Sequence, residues 1–201
     1  MRRLAAAATL LLAACYPGGA EVLTDLDSVT TQHDPAASFA ALHTYAMPDV
    51  VGELPVSTTP ALDHSNDPAI LAKVAANLDA LGWTRVDPSA TPDVTVIVYA
   101  SLGPSVLWIP YPFFDAYPGW PGFAGYDSSW RVFYPWARDR EVFDGGSLRV
   151  DMLDAKNPDT ANHFLRALWT GAVVGLPSSN QSNLQRIDQG LDQAFAQSPY
   201  L

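Results

Sequence analysis

A chain of 201 residues suits one domain of ordinary size and is too short for two full ones. Hydrophobic residues at 48% against charged residues at 16% supply enough apolar side chain for a core and exclude a disordered polymer. With 11 Lys+Arg against 21 Asp+Glu the body repels phosphate backbones, which argues against nucleic acid as a partner.

Residues 1–14 carry Arg2 and Arg3, then an apolar run from Leu4 to Ala14 broken only by Thr9. That is the pattern of a secretory signal, well short of the roughly 20 residues that cross a bilayer. Leu12, Ala13, Ala14 and Cys15 close the run and resemble the bacterial lipobox. The resemblance implies cleavage before Cys15, lipidation of its thiol and three acyl chains, enough for stable anchoring where one chain would not suffice. Cys15 is the single cysteine, so no intrachain disulfide can form and packing alone must hold the fold. Tyr16 stands where the enterobacterial sorting pattern has an Asp that retains lipoproteins in the inner membrane. By the same analogy the expected location is the cell envelope, on the outer membrane facing the periplasm.

Residues 15–35, with Gly18 and Gly19 and several acids, are expected to form a tether to a single domain over 36–201, although Val29 to Gln32 already reads as a strand. Phe39, Leu42 and Tyr45 are candidate core positions. Asp67 and Pro68 predict a helix start, the carboxylate as cap and the proline in the first turn where its missing N–H costs nothing. Ile70, Leu71, Val74, Leu78 and Leu81 then share one stripe over 68–81, and Gly82 is placed for a left-handed C-terminal cap. Asp93 to Ala100 is rich in β-branched residues and predicts a mostly buried strand. Ser147 to Leu153 alternates Leu148, Val150 and Met152 with Arg149 and Asp151, a pattern that predicts a strand with one wet face carrying an exposed Arg149/Asp151 pair. Phe164 to Val174 is its returning partner. Ser182 to Gln185 fits a capping box before the stripe Leu184, Ile187, Leu191 and Phe195. The fold class expected is α+β: a two-layer domain with a largely antiparallel sheet, two helices on one face and a long Pro/aromatic-rich loop.

The order of Phe39, Leu42, Thr44 and Tyr45, then Pro92-Asp93-Val94 and Val96, then Gly146-Ser147-Leu148, Val150-Asp151 and Leu153-Asp154-Ala155, then Trp169 and Gly171, with a closing helix ending near Phe195 and Pro199, resembles bacterial lipoproteins of the family called domain of unknown function 4136. The resemblance implies a lipid-anchored envelope domain and no established activity. This chain departs from the pattern by placing residues 156–168 between the Asp-Ala turn and Trp169, which leaves the register of the hairpin open.

Residues 103–136 hold 12 of the 22 aromatic residues and 6 of the 17 prolines, which prevents a regular helix or central strand over Ile109 to Pro121. Trp108, Tyr111, Tyr117 and Trp120 on a stiff backbone are candidate ligand-binding rings for a glycan or peptide. The alternative, favoured here, is that the rings fold over the open face of the sheet and finish the core. Trp130, Val132 and Tyr134 would share a strand face. Asp151 and Asp154 point to opposite faces and cannot form a local acid/base pair. Four scattered histidines do not make a metal motif, Asp63 to Asp67 is an incomplete cation loop, and no cofactor is implied. The expected function is a non-enzymatic envelope lipoprotein that binds or scaffolds in the periplasm. The alternatives are a glycan- or peptide-binding module using residues 103–136 and a hydrolase with a dispersed site.

Overall fold

The computed structural model describes residues 28–53, 62–102, 105–108, 111–112, 125–137, 140–143, 146–176 and 180–201. Three long strands form its centre: β5 (Val94–Ser101), β10 (Gly146–Asp154) and β11 (Phe164–Leu176), paired antiparallel in the order β5-β10-β11. Around them β1 is Ser28–His33, β2 Thr44–Ala46, β3 Gly52–Glu53, β4 Thr84–Arg85, β6 Ser105–Trp108, β7 Tyr111–Pro112, β8 Arg131–Phe133 and β9 Arg140–Phe143. Among the described residues nine strands make one sheet, β4-β2-β5-β10-β11-β8-β7, with β1 on β11 and β3 on β5, while β6 and β9 pair apart as a ribbon. The parallel pairs β2/β5 and β2/β4 arise because helix α1 (Asp67–Ala80) separates β2 from β4 and β5.

The strand expected over Val29 to Gln32 is the middle of β1, which pairs with β11 from Ser28 opposite Val174 to His33 opposite Trp169. Among the described residues β1 lies inside the stretch 15–35, because β11 is long enough to offer an edge to β1 over 169–174 and to β8 over 164–166.

One face of the sheet carries the two helices. Ile70, Leu71, Val74 and Leu78 of α1, and Ile187, Leu191, Ala194 and Phe195 of α2 (Asn180–Ala196), bury against Val94, Val96, Val98, Leu148, Val150, Met152 and Trp169. The end of α1 is closed as expected. Gly82 has φ +84, its N–H reaches Asp79 O at 2.9 Å, and the Trp83 N–H reaches Leu78 O at 3.1 Å, the paired bonds of a Schellman cap. Its beginning differs. Asp67 is the first helical residue rather than the cap, and its buried carboxylate accepts the Val51 N–H at 2.8 Å and contacts His64 Nδ1 at 2.9 Å. Gly190, a poor helix former, lies where a Cβ would stand 2.6 Å from Val173 Cγ2, so close approach of α2 to the sheet explains it. The indole of Trp169 donates to Ser198 Oγ at 2.8 Å and fixes the chain after α2.

The second face is covered too. Ile97, Tyr99, Leu153, Leu165, Ala167 and Ala172 pack under Tyr126, Trp130, Val132 and Tyr134. This overturns the expectation of a wet face on β10: Arg149 is 1% exposed and Asp151 0%. Alternation in β10 is correct, but both faces are dry because residues 125–137 lie over the one without helices.

Candidate functional site

Of the residues singled out from the sequence, Trp108 and Tyr111 fall on strands of different sheets. Cys15, Tyr117 and Trp120 lie outside the described residues. Trp108 ends β6 in the separate ribbon, in register with Arg140, whereas Tyr111 opens β7 opposite Val132 in the main sheet. Three later rings of the same segment pack into the core, Tyr134 fully buried and Trp130 9% exposed and edge-on to Tyr126 at 4.8 Å, while Phe133 is exposed.

Asp127, Ser129 and His163 do meet at the surface. Ser129 Oγ lies 2.5 Å from Asp127 Oδ1 and 2.6 Å from His163 Nδ1, and the imidazole stacks on Trp130 at 5.1 Å with 10° between planes. Hydrolytic triads need the carboxylate on the imidazole so that the ring is oriented as a base toward serine. Here the carboxylate holds the serine, accepting its hydroxyl and its backbone N–H, and those bonds keep Asp127 below the ordinary carboxylate range. The arrangement closes a turn.

Sequence reading missed a buried polar cluster inside the core on the face without helices. Asp151 Oδ1 accepts from Arg149 Nε at 2.9 Å and Thr170 Oγ1 at 2.5 Å, while Oδ2 accepts from the Tyr99 and Tyr134 hydroxyls at 2.5 Å each. The guanidinium also lies over the Tyr134 ring at 4.5 Å. Burial pushes both phenols well above their usual range, so they remain protonated donors; the Asp151 charge acts in the same direction and Arg149 against it. The register places Asp151 between Ile97 and Thr170, and Arg149 between Tyr99 and Ala172. Two tyrosines, an Arg and an Asp among β-branched neighbours were the available signal. All five members are at most 3% exposed, so this cluster ties residues 125–137 to the sheet and offers nothing to a ligand.

Among the described residues two clefts of ligand size lie at one end of the sheet and share the turn after β10 as a wall. One, of about 540 Å³, is bounded by Asp87, Pro88, Thr91, Pro92, Tyr126 and Ala155. The other, of about 360 Å³, lies between the β1–β2 connection and that turn, lined by Asp34, Leu42, Asp154, Lys156 and Arg166 among others.

Asp93 braces this end. Its Oδ2 accepts the His43 and Thr44 N–H groups at 2.9 and 3.1 Å and the Thr44 hydroxyl at 3.0 Å, and Oδ1 accepts from Lys156 Nζ at 3.1 Å. Burial alone would raise its pKa, but these bonds outweigh it and hold the group at about 2. On the second cleft's wall Asp34, 3% exposed, takes the Ala36 N–H at 2.9 Å on one oxygen and Arg166 Nε on the other. Among the described residues no chemistry-bearing group of three or more His, Cys, Asp and Glu is placed to hold a metal.

A family profile described as a domain of unknown function, DUF4136, matches residues 29–200, nearly all of the described domain. The chain belongs to the DUF4136 family. A crystal structure of a DUF4136 family protein from Bacteroides thetaiotaomicron is 24% identical, with a TM-score of 0.63 over 87% of this chain and 97% of that one, and shares the fold. A PDZ domain protein from Parabacteroides distasonis is similar at 13% identity and a TM-score of 0.45 over 87% of this chain and 36% of that one. No curated protein matches the chain. The positions that carry the family resemblance fall at tie points: Thr44 on Asp93, Asp151 in the buried cluster, Trp169 on Ser198. The long interval before Trp169 is resolved as well. β11 starts at Phe164, so part of the interval extends that strand and receives β8 in parallel.

Proposed function

We propose that the chain is a non-enzymatic envelope lipoprotein, anchored by acyl chains on Cys15, whose DUF4136 domain binds or scaffolds on the periplasmic side of the outer membrane. The observation that carries this reading is the lone cysteine at the end of a signal-like apolar run, in a Leu-Ala-Ala-Cys context. The distance to the domain agrees with it. β1 opens at Ser28, and 13 residues of chain from Cys15 reach at most about 45 Å, so the domain would work close to the bilayer surface. Among the described residues the Asp127 carboxylate holds Ser129 and not the His163 imidazole, so this cluster is not arranged as a hydrolytic triad.

Cell fractionation tests the reading. Wild-type protein should stay with membranes through high salt and be released by detergent, and Cys15→Ala should move to the soluble fraction. Wild-type protein in a periplasmic wash would contradict it.

A further inference from the structure

The smaller cleft contains a prepared cation. Arg166 Nε is fixed by Asp34, a carboxylate only 3% exposed and itself held by the Ala36 N–H, while the guanidinium side chain remains 46% exposed on the cleft wall. Its two terminal amino groups have no partner among the described residues, so the edge of the fork that binds a carboxylate end-on is oriented and unused. Orientation by a buried second group is what lowers the entropic cost of a recognition arginine. Lys156 stands on the same wall, 54% exposed, with one of its donors on Asp93. The chain has only 11 Lys+Arg, and two of them line this concavity.

The charge inventory selects the ligand. Asp34, Asp154 and the Asp93 behind Lys156 face Arg166 and Lys156, one negative charge in excess. A dianion such as phosphate would add to that excess, whereas a molecule bringing both a carboxylate and an ammonium would not. Leu42, Leu168, Ala37 and Ala41 supply an apolar part of the lining beside the polar Ser38 and Asn157, a mixed wall that suits a short peptide with small side chains. The volume of about 360 Å³ lies at the small end of ligand sites.

We infer that this cleft binds the free C-terminal carboxylate of a short zwitterionic peptide with small side chains, with Arg166 as the carboxylate fork. The inference goes beyond the envelope reading and does not depend on the state of Cys15.

The test is calorimetric titration of the detergent-solubilised full chain with Ala-Ala, with Ala-Ala amide and with inorganic phosphate. Ala-Ala should bind saturably below about 1 mM, the amide at least 10-fold more weakly, and phosphate should not displace the dipeptide. Arg166→Lys keeps the charge on Asp34 and loses the fork, and should weaken Ala-Ala at least 10-fold at unchanged Tm. Lys156→Gln, on an exposed side chain, should fold normally and weaken binding about 3-fold by removing charge near the carboxylate. Equal binding of dipeptide and amide, displacement by phosphate, or no saturation with wild-type protein would overturn the inference. Membrane partition is measured separately, so loss of the anchor and loss of the cleft are distinguishable.

Discussion

Arg149→Met separates a buried ion pair from an exposed one. Arg149 and Asp151 pair at 2.9 Å with side chains 1% and 0% exposed, so the replacement leaves a buried carboxylate without its counter-ion. Removing one partner of such a pair costs about 3–5 kcal/mol, against a total domain stability of about 5–15 kcal/mol. The Tyr99, Tyr134 and Thr170 hydroxyls still donate to Asp151 at 2.5 Å, which places the loss near the lower end, about 3 kcal/mol. In a domain of this length that lowers Tm by roughly 6–12 °C. Asp151→Asn leaves the guanidinium buried instead and deprives both tyrosines of a charged acceptor, so its loss should be larger, about 4–5 kcal/mol. The double variant Arg149→Met with Asp151→Asn removes both charges and should cost about 2 kcal/mol less than the sum of the two single changes. Urea unfolding followed by tryptophan fluorescence measures all three. Single variants within about 1 kcal/mol of wild type, or an additive double variant, would show that water reaches the pair and would refute the two-core reading.

Asp93, held at about 2, has a folded pKa below its unfolded value, so its contribution is present above about pH 4 and is lost as pH falls toward 2. The stability gap between wild type and Asp93→Asn, read from urea midpoints, should be widest above pH 5 and narrow between pH 4 and 2; a gap constant with pH would contradict this. Gly190→Ala should destabilise by about 1–3 kcal/mol despite better helix propensity, since the new methyl meets Val173 Cγ2 at 2.6 Å, and Val173→Ala in the same chain should recover part of the loss.

Local signals served well where local physics decides. The stripe from Ile70 to Leu78 and the glycine at 82 defined α1 and its end, and the β-branched run after Asp93 defined β5. Wherever tertiary cover decides, they failed. Nothing in the alternation of β10 distinguishes an Arg149/Asp151 pair facing water from one facing Tyr99 and Tyr134, because the covering segment is remote in sequence. Asp67 fits the pattern of a cap, yet its carboxylate is drawn to the N–H of Val51, 16 residues earlier. The two-residue strands β3 and β4 are too short to show a period. The smaller cleft was invisible for the same reason as the buried cluster: Asp34, Asp154 and Arg166 come from three strand ends that only the sheet order brings together.

Lipid attachment at Cys15 is the claim on which the proposed function rests, and mass spectrometry of the N-terminal peptide of protein extracted from membranes measures it directly. The account predicts a peptide that begins at Cys15 and carries acyl chains releasable by mild hydrolysis. A peptide with a different first residue, or one retaining an unmodified Cys15 thiol, would contradict it.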